Sequence, residues 1–244
     1  GLADAIACLN MRYDSPEASE VIDKIYGTLK VSAYTESAYM AEERGSFPVF
    51  VWEKEKDNKF IKSLPEEVQL LMAHTGRRNI SILTNAPTGS VSIMSQTSSG
   101  LEPVFRNFYI RRRKISHNND KAQVDFVDEL GDRWSEYKVF HHNVKQWQKK
   151  KKSDEIPDFF VESDQIDYLR RIEIQAIIQK HIDHSISSTI NLPKETDPET
   201  VAELYMRGWK LGLKGVTVYV DGSRSGVLVT EETENSSFVD SSAP

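Results

Sequence analysis

The 244-residue sequence predicts an α/β fold, on three observations. Apolar residues recur at three-to-four spacing over several long stretches, and short β-branched runs fall between them. One further segment alternates apolar and polar residues as a β-hairpin does, and it reads as an insertion over about residues 106–145.

Taken in order, Asp14-Ser15-Pro16-Glu17 supplies a capping hydroxyl, a first-turn proline and an early acid, and opens a helix over 16–44. Val21, Ile22, Ile25 and Leu29 line its expected apolar face, and Gly45 and Pro48 stop it. A second helix is predicted from Pro65 to Thr75, with Val68, Leu71 and Met72 inward. Residues 80–84 are short and β-branched, and read as a buried strand. In 123–140, Val124 and Phe126 alternate with polar residues, Gly131 marks the turn, and Trp134, Tyr137 and Val139 follow. Lys149 to Lys152 lead into a polar loop ending at Pro157, expected as solvated surface. Residues 164–182 are predicted helical, with Ile166, Leu169, Ile172, Ala176 and Ile177 on one broad face. A strand over 186–190 follows. Asp197-Pro198-Glu199 then opens a helix carrying Val201, Leu204, Tyr205 and Trp209, which Gly212 closes, and 216–220 is a buried strand. Beyond Gly226 large apolar residues become scarce. A domain over 1–226 and a flexible polar tail over 227–244 are therefore expected.

Composition narrows the function classes. Hydrophobic residues make up 39% of the chain and the net charge is −6, so a soluble globular protein is expected and generic nucleic-acid binding is not. No apolar run approaches membrane-spanning length and no signal peptide is visible. The single cysteine, Cys8, excludes an internal disulfide or a thiolate cage, and implies a reduced, cytoplasmic setting. Cys8 itself reads as a buried apolar residue. The chain opens on Gly1 with a helical pattern already under way, and so reads as cut from something longer.

The most informative local feature is Asn85-Ala86-Pro87-Thr88-Gly89-Ser90-Val91-Ser92, directly after residues 80–84. Gly89 lets backbone approach an anion, Thr88, Ser90 and Ser92 add hydroxyls, and successive N–H groups in such a turn make an anion concavity. A helix starting there would add its partial positive charge. The segment is not a Walker loop, since the following Lys is missing, and a bland Pro-Thr-Gly-Ser turn has the same residues.

Wider motifs carry more. Residues 86–92, then Gln96-Thr97-Ser98-Ser99-Gly100-Leu101-Glu102-Pro103-Val104-Phe105, resemble the signature of the ribonucleotide reductase catalytic subunit. Gly1 to Ala5 with Tyr13-Asp14-Ser15, Arg171 to Ala176, His184 to Pro193, and Lys210 to Gly215 with Tyr219 resemble other segments of that family in the same order. The Asp221-Gly222-Ser223-Arg224 ending and the hairpin resemble its cobalamin-dependent class. The resemblance implies the C-terminal part of a ten-stranded α/β barrel that reduces ribonucleoside diphosphates to 2′-deoxyribonucleotides by thiyl-radical chemistry. It implies adenosylcobalamin (vitamin B12) as cofactor and a thioredoxin-type reductant for the whole enzyme. It further implies that Pro87, Thr88, Gly89, Ser90 and Val91 bind the substrate phosphates. The radical and dithiol cysteines have no counterpart here, and Cys8 matches none of their positions, so a cysteine-bearing N-terminal segment or subunit is the expected partner. The alternative is a free-standing nucleotide-binding or regulatory module without activity of its own; an inert gene fragment is a third reading.

Other candidates read as structural. His181, Asp183 and His184 lack a third ligand at metal spacing, and His141-His142 diverge if they lie on a strand. Arg111-Arg112-Arg113-Lys114 reads as a solvated strand edge, or else as a contact for charged groups of cofactor or substrate. Tyr219, preceded by Val218, lacks the tyrosine pair of the radical-relay relatives and reads as structural.

Overall fold

A computed structural model describes residues 1–115, 123–128 and 131–221. The Gly222-Ser223-Arg224 motif, the tail over 227–244 and parts of the hairpin region lie outside the described residues.

The chain begins with α1 (Leu2–Cys8) and continues into α2 (Pro16–Arg44). Ser15 Oγ accepts from the Ala18 N–H at 3.1 Å, Pro16 takes the first helical position, and Gly45 ends the helix at φ 79°. The buried stripe of α2 keeps Ile22 of the expected face, with Val21 partly buried, and departs from it further along the helix. Ala18, Ile22, Tyr34, Ala38 and Ala41 are buried, whereas Ile25 and Leu29 are exposed. The alanines are the reason, because small side chains let α2 lie close against its neighbours. Two short helices, α3 (Trp52–Glu55) and α4 (Lys59–Lys62), lead to α5 (Glu66–Thr75), which buries Val68 and Met72 against Tyr34 and Ala38.

Residues 80–84 do not form the predicted buried strand. Ile80 is exposed, and the segment's one ladder contact is a parallel bridge from Asn85 to Ile186. A carboxylate replaces the missing ladder. Asp183 accepts the Ile82 N–H at 2.8 Å, the Leu83 N–H at 2.9 Å and the Tyr34 hydroxyl at 2.7 Å. The His184 N–H then donates to Leu83 O at 3.2 Å. These bonds hold 82–85 beside 183–187 without a regular sheet.

A short helix, α6 (Gly89–Ser95), follows, then β1 (Phe108–Lys114), β2 (Phe126–Val127) and β3 (Arg133–Phe140), which form an antiparallel sheet in the order β1-β3-β2. Next comes α7 (His142–Lys151). The lysine run is therefore mainly helical rather than loop: Lys149 to Lys151 occupy the last turn of α7, where cations meet the negative end of the dipole. His141 and His142 are likewise not on a strand; His141 caps α7 and His142 begins it.

The second half alternates helix and strand: α8 (Tyr168–Gln179), β4 (Thr189–Leu192), α9 (Pro198–Lys210) and β5 (Thr217–Val220). The helix predicted over 164–182 is shorter because Ile166 is extended, after a single 3₁₀ turn at Ser163–Gln165. β4 and β5 pair in parallel, with Asn191 opposite Tyr219, and α9 is the crossover such a pair requires. Ile190 and Leu192 are buried against Ile172 of α8 and Leu204 of α9. Alternation then turns Thr189 and Asn191 to the other face. β5 is half-buried rather than buried, and Tyr205 and Trp209 of α9 are exposed. The described strands do not close into a barrel.

Replacing Asp183 by Ala strands two backbone donors and the Tyr34 hydroxyl together, and should destabilise the chain by about 2–4 kcal/mol in urea melts. A loss below about 0.5 kcal/mol, the range of ordinary surface substitutions, would show that the carboxylate does not carry this segment.

Candidate functional site

The predicted phosphate residues come together as one exposed turn at the start of α6. Pro87, Gly89, Ser90 and Val91 are exposed, and Thr88 is half-buried. Thr88 adopts the left-handed conformation at φ 56°, which turns the chain sharply from the 82–85 segment into the helix. Its Oγ1 accepts the Gly100 N–H at 2.7 Å, which ties the turn to the segment that follows α6. Gly89, Ser90 and Val91 occupy the first helical turn, where N–H groups have no acceptor within the helix. A Cβ built on Gly89 meets nothing within 4 Å, so the space beside its backbone is open. Ser92, expected as an extra donor, is buried instead: its Oγ bonds Gly89 O at 2.7 Å and the Ser99 hydroxyl at 2.7 Å.

The 97–105 segment braces this turn from behind. Gly100 sits at φ 50° with Ala86 O only 3.1 Å from where a Cβ would stand, a position that only glycine fills without strain. On the far side of the same segment is a cavity of about 270 Å³. Ser99, Glu102, Phe105, Ser163, Arg171 and Asn191 are among the residues lining it. Glu102 Oε1 accepts the Thr189 N–H, and Arg171 Nη2 donates to Thr189 O at 3.1 Å, so acid and base grip one residue of β4 from both sides. Burial pushes the Arg171 guanidinium down from its ordinary value, while Tyr13 and Glu102 oppose the shift. Sequence reasoning did not single out Glu102, Ser163, Arg171 or Asn191 as site residues. They lie in four separate segments, and no spacing rule links them.

A buried pair stands at the cavity's edge. Asp4 accepts from the Ser98 N–H at 2.6 Å, and its carboxylate lies 2.9 Å from His141 Nε2. Burial alone would push Asp4 up, but the hydrogen bond and charge of His141, with the Ser98 N–H and Asn143, hold it below the usual carboxylate value.

The remaining candidates are structural. His181 Nε2 lies 2.9 Å from Asp23, Asp183 is committed to Tyr34 and two N–H groups, and no cluster of three metal-ligating side chains occurs among the described residues. In the basic run, Arg112 pairs with Glu136 at 2.8 Å and Lys114 with Asp132, both across the sheet. Cys8 is exposed at the end of α1, which corrects the buried placement expected for it; one side of a seven-residue helix faces solvent there. No helix among the described residues is long and apolar enough to cross a membrane.

An exposed, glycine-bearing turn at the start of α6 and a parallel β4-α9-β5 unit define a protein of the α/β class. The family model of the ribonucleotide reductase barrel domain matches residues 1–219, and the chain belongs to that family. A vitamin B12-dependent ribonucleoside-diphosphate reductase of Mycobacterium tuberculosis (strain ATCC 25618 / H37Rv) is 29% identical over 94% of this chain and 31% of its own length. One from Thermoplasma acidophilum is 30% identical over 96% of this chain and 29% of its own length. A ribonucleoside-diphosphate reductase large subunit of Plasmodium falciparum is 26% identical over 90% and 29%. The chain thus spans about a third of the length of these curated relatives.

Because the Asp4 carboxyl is depressed in the fold, its contribution to stability is complete above the ordinary carboxylate value near about 4 and is lost as pH falls through the folded value. Urea melts between neutral pH and pH about 3 should therefore show a smaller acid-induced loss for Asp4→Asn than for the unaltered chain. Equal losses would show that the pair is not coupled to folding.

Proposed function

We propose that this chain is the phosphate-gripping part of an adenosylcobalamin-dependent ribonucleoside-diphosphate reductase. The observation that carries this is the turn itself: Gly89, Ser90 and Val91 face solvent in the first turn of α6 with open space beside Gly89. Backbone N–H groups at a helix start attract anions, and a left-handed Thr88 fixes the direction in which they point. Family membership and the names of the relatives support nucleotide reduction as the setting. Holding the diphosphate positions the ribose for chemistry done by other groups.

Those groups come from elsewhere in this reading. The sequence has one cysteine, exposed Cys8, so the reacting thiols belong to a cysteine-bearing N-terminal segment or subunit, and a thioredoxin-type reductant serves the whole enzyme. Cobalamin would supply the radical when bound to that enzyme. The cavity of about 270 Å³ is too small for a corrin ring, so the ring would sit elsewhere.

Calorimetry with a ribonucleoside diphosphate tests the turn. Gly89→Asp fits sterically but places a negative charge where the phosphates would sit. It should weaken binding at least about tenfold at low salt, while Gly89→Ala costs less. Equal affinities for the unaltered chain and Gly89→Asp would refute the assignment.

A further inference from the structure

The two faces of the antiparallel sheet differ in how their charges are spent. Strand alternation and the β1–β3 register put Phe108, Arg112 and Lys114 on one face, with Trp134, Glu136 and Lys138. Every cation of that face has a partner. Arg112 pairs with Glu136 at 2.8 Å and lies over the Phe126 ring, Lys114 pairs with Asp132, and Lys138 stands 4.5 Å from the centre of the Phe108 ring. The other face carries Tyr109, Arg111 and Arg113 of β1, with Tyr137 of β3 directly opposite Arg111. These four side chains are exposed. Neither Arg111 nor Arg113 makes a hydrogen bond, ion pair or ring contact among the described residues. Two unspent cations about 6.8 Å apart, flanked by tyrosine rings, match an extended acidic segment with carboxylates at alternate positions.

The chain itself supplies such a segment. Residues 225–244 hold Glu231, Glu232, Glu234 and Asp240 and no Lys or Arg. Glu232 and Glu234 are spaced as Arg111 and Arg113 are, and Phe238 adds a ring for the tyrosines. The described chain also ends in a suitable place. The Asp221 N–H donates to Leu192 O at 2.9 Å, β4 packs against Ser163–Gln165, and Glu162 accepts the Asn107 N–H at 2.7 Å, one residue before β1. The last described residue and the root of β1 are thus linked through residues 162–165. Glu231 lies ten residues beyond Asp221, a reach of up to about 33–36 Å. Tethering raises the local concentration of the segment, which offsets the small worth of exposed ion pairs. We propose that the acidic segment 231–240 docks on the sheet face of Tyr109, Arg111, Arg113 and Tyr137, with Glu232 and Glu234 on the two arginines. Occupied in this way, the face is closed to other polyanions. None of these residues belongs to the phosphate turn, so the inference stands apart from that reading.

The test compares amide NMR spectra of the full chain and its Glu231→Gln/Glu232→Gln/Glu234→Gln variant at low salt. Neutralising the segment should shift the amides of Tyr109 to Arg113 and of Tyr137, and leave those of Gly89 to Val91 unmoved. The difference should vanish at about 1 M salt, where the Debye length is about 3 Å. A glutamate-specific protease gives a second readout on the full chain. Cleavage after Glu231, Glu232 and Glu234 should run about three- to tenfold faster in Arg111→Gln/Arg113→Gln, the range that two exposed ion pairs provide. Sheet amides that ignore the tail substitutions, or equal cleavage rates with and without the two arginines, overturn the proposal. A short oligothymidylate is added in parallel. If it moves the sheet amides while the tail substitutions do not, the face is a nucleic-acid site and the proposal falls.

Discussion

The Asp183 carboxylate is the constraint on which the rest of the site depends. It does for residues 82–83 what a neighbouring strand would do, taking both N–H groups, and it ties them through Tyr34 to the long helix α2. A backbone segment left without ladder partners beside a core would otherwise fray. Once 82–85 is fixed, Asn85 bridges Ile186, and the chain reaches Thr88 at a set place and direction. Where the turn stands is thus decided by one acid about a hundred residues later in the chain.

The second level of construction is the 97–105 segment. It holds the turn through Thr88 and Ser92, reaches β4 through Glu102, and meets the first helix through Asp4 and Ser98. Such a segment makes the turn rigid without covering it. Its serines and glycine are short because three backbones converge there.

Much of the fold was legible in the residues. Ser15-Pro16 and Gly45 bound α2 as their capping chemistry requires, and Asp197-Pro198 opens α9 with Asp197 accepting the Thr200 N–H. The apolar face of α2 was legible at Val21 and Ile22 but not beyond, because large Ile25 and Leu29 outweigh small Ala18, Ala38 and Ala41 in any periodicity count, whereas the small side chains are the buried ones. Residues 80–84 read as a strand on β-branching alone, which cannot foresee that a side-chain carboxylate will take the place of a neighbour. The turn at Pro87 to Val91 was legible because its elements are contiguous, and family motifs raised it above an ordinary loop. The cavity was not, since Glu102, Ser163, Arg171 and Asn191 meet only through the tertiary fold.

The central claim is that exposed N–H groups at the start of α6 grip a diphosphate. Crystals of the chain grown with a ribonucleoside diphosphate would test it most directly. The account predicts phosphate oxygens within hydrogen-bonding distance, about 2.7–3.2 Å, of the Gly89, Ser90 and Val91 nitrogens. A diphosphate bound on any other surface, with these three nitrogens left to solvent, would contradict it.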